Sequence, residues 1–260
     1  MSLITLTTDF GITDPFVAIM KGVILSIYPK AQIIDITHNI PPQDIAYANW
    51  VIRCSFHYFP KDTIHVCVVD PGVGTKRKPI LLETTNHFFI GPDNGIFTSI
   101  LEQQIILNAI ELNKKEYWLK NISQTFHGRE IFSPVAAHLA SGIKPKDLGR
   151  SIDIKDLVRL PLYKTTKTNN GYVGSIQQID NFGNLITNIP DTFVKKNIQG
   201  KINNHEFIGL AENYTENESN KLFAIIGSHG FLELSVSRGS AAKLTNAKVG
   251  DEVEVIFNGL

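Results

Sequence analysis

Apolar positions in the first 140 residues follow two rhythms. Thr63-Ile64-His65-Val66-Cys67-Val68-Val69 is a run of strand length that predicts a buried strand, and residues 3–7 and 32–37 predict two more. Between the first two, Phe16, Ile19, Met20, Val23, Ile24 and Ile27 fall three and one apart, the apolar face of an amphipathic helix, with Asp14 as its N-cap and Pro15 at its first position. Residues 44–57 predict the next helix. Strand, helix, strand, helix, strand implies a parallel sheet with right-handed crossovers. Residues 80–84 and 87–90 predict a hairpin through Thr85-Asn86, and 130–141 a helix that tolerates Pro134 in its first turn. From 142 to 170 the periodicity fades into Lys, Pro, Asp and Thr, which predicts a partly ordered connection. Beyond it, short β patterns at 171–179, 184–189, 205–210, 222–227, 232–237 and 252–256 are separated by Gly, Asn and Asp, as in a small barrel, with 213–220 a polar loop. The fold expected is an α/β domain with a mostly parallel sheet over 1–160, followed by a smaller all-β, barrel-like domain over 161–260.

Composition narrows the ligand class. Lys plus Arg and Asp plus Glu both total 25 in 260 residues, so charge gives no reason to expect nucleic acid or an acidic membrane, and a small molecule is the better expectation. Two cysteines, Cys54 and Cys67, are too few for a disulfide framework and carry no zinc spacing, so they read as inert thiols. Residues 1–10 lack the regions of a signal peptide, and no run approaches the roughly 18 apolar residues of a membrane span, which predicts a cytoplasmic protein.

The predicted strands order the polar residues. Asp9 follows the first, His38 the second and Asp70 the third, which sets all three along the carboxyl edge of the sheet, where open α/β sheets bind ligands. Asp9 alone reads equally well as a capping or turn aspartate. The Gly72-Val73-Gly74 turn lacks the spacing of a phosphate loop or a dinucleotide fingerprint. His127 precedes a predicted helix and His138 lies inside it; either can be a loop or core histidine. Asp180-Asn181-Phe182-Gly183-Asn184 and Ser228-His229-Gly230-Phe231 have the composition of turns.

Taken together, Thr8-Asp9-Phe10-Gly11, Asp70-Pro71-Gly72-Val73-Gly74-Thr75, Gly91-Pro92-Asp93-Asn94-Gly95, Phe126-His127-Gly128-Arg129, Ile179-Asp180-Asn181-Phe182-Gly183-Asn184 and Ser228-His229-Gly230 resemble, in order and over almost the whole chain, the S-adenosylmethionine hydroxide adenosyltransferases. These are adenosine-forming hydrolases related to the fluorinase and chlorinase. The resemblance implies a trimer whose sites lie between the N-terminal domain of one subunit and the C-terminal domain of the next. It implies that Asp70, Arg77 and His127 are catalytic and orient and polarise water, and that Asp9 holds the ribose hydroxyls. Asp14 corresponds to an acid near the methionine end, while Asp180, Asn184 and Ser228, with Phe182 and Phe231 as pocket aromatics, correspond to the neighbouring subunit's wall. In the halogenases the acid and the histidine are replaced, so their presence here points to water. His229 and Gln43 depart from the fluorinase's arginine and tryptophan, and a long fluorinase loop before Gly91-Pro92 is absent.

Charge shapes the mechanism that this implies. Methionine leaves a sulfonium as a neutral thioether and needs no acid, so the task is to position a water in line with the C5′–S bond. Asp70, paired with Arg77, is expected to orient His127, and either Asp70 or His127 to take the proton. No metal or cofactor is needed; S-adenosylmethionine is the substrate. Two other readings stay open: a metallohydrolase using Asp9, His38, Asp70, Asp93 and His127, and a protein that binds an adenosyl compound without turning it over.

Overall fold

The computed structural model describes residues 2–215 and 220–257. The chain divides into two compact units, Met1–Leu160 and Pro161–Leu260.

The first unit contains β1 (Leu3–Thr8), α1 (Phe16–Ile27), β2 (Gln32–Thr37), α2 (Ile45–Ser55), β3 (Thr63–Val68), β4 (Pro79–Thr84), β5 (His87–Pro92), α3 (Thr98–Gln103), β6 (Ile106–Glu111), α4 (Ser133–Ala140) and β7 (Arg150–Ser151). Its sheet runs β2-β1-β3-β5-β4-β6-β7. The first four of these are parallel, and β4, β6 and β7 add antiparallel pairings. The strand pleat sends alternate residues to opposite faces. Ile4, Leu6, Val66 and Val68 join Met20 of α1 and Val135 and Ala136 of α4 in one core. Cys67 and Phe89 join Ala48 and Ile52 of α2 and Ile100 of α3 in another. The sheet is therefore covered on both faces, as parallel pairing requires.

Three local expectations are corrected. Helix α1 begins one residue late, so Pro15 occupies the capping position and Asp14, just outside it, makes no cap bond; at α2 the cap forms as the sequence suggests, Asp44 Oδ1 accepting from Tyr47 N at 2.8 Å. The helix expected at 130–141 is α-helical only from Ser133; the stretch Gly128–Phe132 is a π-helical turn. Pro134 has no N–H to give the Glu130 carbonyl, which instead accepts from Leu119 N at 3.0 Å. Finally, 142–160 is not loosely ordered. Leu148 and Leu157 are buried, Val158 N donates to Asp93 Oδ1 and Leu160 N to Thr98 Oγ1, each at 2.9 Å.

The second unit contains β8 (Thr166–Lys167), β9 (Gly171–Ile179), β10 (Leu185–Pro190), β11 (Ile198–Ile202), β12 (His205–Ile208), β13 (Leu210–Ala211), β14 (Leu222–Ile226), β15 (Phe231–Val236), α5 (Ala241–Thr245) and β16 (Glu252–Phe257). The sheet order is β12-β11-β16-β9-β10-β15-β14-β13. It curls until β12 lies against β14, nearly closing a barrel around Ile176, Leu185, Phe207, Leu234 and Val253. Of the polar loop expected at 213–220, residues 216–219 lie outside the described residues.

Candidate active site

The parallel strands β1, β2 and β3 end on one edge, and the first unit's cleft opens there. Asn94 fixes the end of β3 by donating Nδ2–H to the Val69 carbonyl at 2.9 Å. The chain then turns over residues 70–77, with Val73 N bonded to Asp70 O at 3.1 Å and Thr75 N to Gly72 O at 3.2 Å. Gly74 sits at φ +77°, and a Cβ there would lie 2.4 Å from the Gln124 carbonyl oxygen. Only glycine lets this turn press against the loop that carries His127.

That approach assembles three side chains around one guanidinium. Arg77 Nε donates to Asp70 Oδ1 at 3.0 Å and its Nη2 donates to Oδ2, a bidentate pair whose side chains are only 8% and 5% exposed. The same Nη2 lies 2.8 Å from His127 Nδ1, and the guanidinium carbon stands 5.2 Å from the centre of the Phe132 ring. A guanidinium only donates, so Nδ1 accepts and the imidazole proton sits on Nε2. Burial, and then the charge of Arg77, holds the imidazole pKa below its ordinary value against the opposing pull of Asp70 and Glu130. The sequence suggested that Asp70 orients His127. The structure puts Arg77 between them, so the guanidinium does the orienting.

The loop is braced from below. Glu130, fully buried in the π-helical turn, accepts from Ser123 N at 2.8 Å, from Ser123 Oγ at 3.1 Å and from Arg129. π turns are rare and found frequently at functional sites, and this one follows His127 directly. The imidazole also bonds the backbone of Ser123, a contact that favours its protonated form.

Asp9, Asp14, Asp70 and His127 line a cleft of about 470 Å³ together with Gln43 and three phenylalanines, Phe10, Phe16 and Phe126. Asp9 is held by Gln43, whose backbone N–H donates to Oδ2 at 2.8 Å from a left-handed conformation, φ 67°. Asp14 is exposed at the rim. His38 does not line the cleft. Its Nδ1 pairs with Thr8 Oγ1 at 2.8 Å and its Nε2 lies 3.1 Å from Asp35, which also binds Lys21. Asp93 is spent on Val158 N, and burial raises its pKa. His138 packs edge-on to Tyr117. Among the described residues no group of three or more His, Cys, Asp or Glu side chains is placed to hold a metal ion. Both thiols are raised by burial, Cys54 to about 11.

In the second unit the matched residues stand in two turns. Asp180 Oδ1 accepts from Phe182 N and Asn184 N, both at 2.9 Å, and Oδ2 from Asn184 Nδ2 at 2.8 Å. Phe182 projects from that turn, 76% exposed. Ser228 is exposed in the turn before β15, and Phe231 is buried at the strand's start. Behind this turn is a carboxylate the sequence reading missed: Glu233, buried on β15, accepts from Tyr214 Oη at 2.9 Å and Ser235 Oγ at 2.8 Å, with His229 Nε2 at 3.2 Å. Burial raises its pKa and these bonds, led by that of His229, outweigh it and lower it. Glu130 and the role of the three phenylalanines were also missed. A charge inside an apolar helical stretch was the only available signal for Glu130, and nothing in the spacing of Phe10, Phe16 and Phe126 marks them as neighbours.

Comparison with known proteins finds relatives that span both units. Residues 4–149 match the SAM hydroxide adenosyltransferase N-terminal domain and residues 174–254 the C-terminal domain. An (R)-S-adenosyl-L-methionine hydrolase from Methanocaldococcus jannaschii is 36% identical over 99% of this chain and 97% of its own length. One from Salinispora arenicola is 34% identical over 97% of each. Fluorinases match at lower identity, 23% to 28%. The crystal structure of an uncharacterized conserved protein from Thermotoga maritima superposes with a TM-score of 0.90 at 34% identity, covering 97% of this chain and 99% of that one. The chain belongs to the SAM hydroxide adenosyltransferase family.

Proposed function

We propose that this chain hydrolyses S-adenosyl-L-methionine to adenosine and L-methionine by attack of water at C5′. The observation that carries the reading is Arg77 bridging Asp70 and His127, two of the residues that line the cleft. Water attacks C5′ as the C5′–S bond breaks, its electron pair passing to sulfur, which leaves as the neutral thioether of methionine; the oxygen then sheds a proton. His127 has its Nδ1 lone pair committed to Arg77, so the proton goes to Asp70, whose carboxylate has lone pairs beyond the two used by Arg77. His127, with Nδ1 on Arg77 and its other ring nitrogen bonded to the Ser123 backbone, is then a neutral imidazole that fixes the guanidinium beside Asp70. The proposal requires no metal or cofactor.

Asp9 holds the ribose hydroxyls and Asp14 faces the methionine end. Asp180, Asn184, Ser228, Phe182 and Phe231 of a neighbouring subunit complete the pocket in a cytoplasmic homotrimer. The support for this assembly is the family resemblance; no helix among the described residues is long and apolar enough to cross a membrane. The chemistry is tested by incubation with S-adenosylmethionine in H₂¹⁸O, with chloride and chelator present, and mass spectrometry of the products. Adenosine labelled at its 5′-oxygen with equimolar methionine is expected. A 5′-chloro product, or turnover abolished by the chelator, overturns it.

A further inference from the structure

Beside the Asp70–Arg77–His127 cluster stands a wall that the hydrolytic scheme leaves unused. The Phe10, Phe16 and Phe126 rings all line the cleft and touch one another, with centroids 5.7 Å (Phe10 to Phe16), 5.6 Å (Phe10 to Phe126) and 5.3 Å (Phe16 to Phe126) apart. Two of the three contacts are edge-to-face and the third is tilted. Phe126 is buried, but Phe16 is 40% exposed at the start of α1, so core packing does not account for it. Phe126 already takes a cation: the Arg129 guanidinium carbon lies 5.1 Å from its centroid. The charged and titratable side chains lining the cleft are Asp9, Asp14, Asp70 and His127, and the imidazole is held toward its neutral form. Asp70 is offset by its pairing with Arg77, so two carboxylates, Asp9 and Asp14, and three electron-rich rings, with no lysine or arginine among the described lining residues, make a cleft suited to a cation.

We infer that Phe10, Phe16 and Phe126 recognise the sulfonium itself and give the site its preference for a charged S-adenosyl ligand over the neutral thioether of the same shape. This rests on the hydrolytic reading above for the identity of the substrate. A ring face attracts a cation through its quadrupole and a neutral sulfur much less. The positive charge disappears as methionine leaves, so the wall favours the ground state over the transition state. Its contribution therefore lowers KM and does nothing to raise kcat, and its removal raises KM without slowing the chemical step.

The test compares wild type with Phe16→Leu, which keeps an apolar side chain and removes the quadrupole, and Phe16→Tyr, which keeps the ring. KM and kcat are measured with S-adenosylmethionine, and the inhibition constant with S-adenosylhomocysteine, the neutral thioether. Phe16→Leu is expected to raise KM about three- to tenfold while kcat holds or rises and the thioether's inhibition constant stays within about twofold, and Phe16→Tyr to restore KM. Equal weakening of both ligands would show a packing role and overturn the inference, as would unchanged KM. If wild type releases no adenosine, the hydrolytic reading fails on that control alone. Equilibrium binding of the same two ligands to wild type and Phe16→Leu then decides the sulfonium question separately: selective loss of S-adenosylmethionine supports it, and parallel or no loss contradicts it.

Discussion

The two units use polar side chains in opposite ways. In the first, Arg77 reaches across 50 residues of chain to His127, and the meeting depends on Gly74 letting one loop press on another. In the second, Asp180 bonds the backbone and side chain of its own turn, no more than four residues away. A turn aspartate needs only its local sequence to be satisfied. A buried bidentate ion pair that also grips an imidazole needs two distant loops, a buried glutamate beneath one of them and a glycine at the contact. Such an arrangement is costly to build, which makes it the better marker of chemistry.

The largest expected break in that contrast is Arg77→Ala. It leaves Asp70 buried without its counter-charge, a loss of about 3–5 kcal/mol in unfolding free energy, and should cut turnover by about 10³-fold or more as the water-orienting groups come apart. Arg77→Lys keeps the charge but not the fork, and should recover stability more than activity. Urea midpoints and steady-state rates on the two variants check this.

Acid sharpens the comparison from another side. His65, buried in the first unit between Phe56 and Phe89, has its pKa pushed down from 6.5 to about 3 by burial, with His87 adding to the shift. The unfolded chain binds a proton that the folded chain refuses, so the stability His65 contributes is complete above about pH 6.5 and is lost progressively as pH falls toward 3. Urea midpoints should drop between pH 6.5 and 5, before most carboxylates titrate; a flat midpoint over that window contradicts the assignment.

Gly74→Ala should cost about 1–3 kcal/mol, from the positive φ and the clash with Gln124, and should lower kcat along with it, since it pushes the His127 loop off Arg77. The smallest effect is expected at Asp180→Asn. The turn keeps its Oδ1 acceptor and loses about 1 kcal/mol where an amide meets Asn184 Nδ2. KM for S-adenosylmethionine should rise with kcat nearly unchanged. Loss of kcat without a change in KM would move chemistry into the second unit.

Much of the scaffold was legible in the sequence because its signals are local. The period-two and continuous apolar runs marked β1, β2, β3 and β9 almost to the residue, and Asp44 announced the start of α2. What the sequence hid depends on contacts between distant residues. The π turn at Gly128–Phe132 exists because Pro134 frees the Glu130 carbonyl for Leu119, a partner no window around Pro134 contains. Strand β6 was overlooked because Leu107 and Asn108 break its apolar run, and β11 because Gly200 interrupts it. His38 ends its strand on the right edge, yet Thr8 and Asp35 turn it aside, which position alone does not reveal. The Asp70, Arg77 and His127 set was readable from the family resemblance, whereas the central place of Arg77 came only with the geometry.

The account stands most directly on Asp70→Asn, which is nearly isosteric and leaves Asp9, the phenylalanine wall and the second unit untouched. Measured against wild type, it should lower kcat for adenosine formation by at least about 100-fold while the equilibrium affinity for S-adenosylmethionine stays within about threefold. Retained kcat, or a loss of affinity as large as the loss of rate, would contradict the assignment of the chemistry to the Asp70–Arg77–His127 cluster.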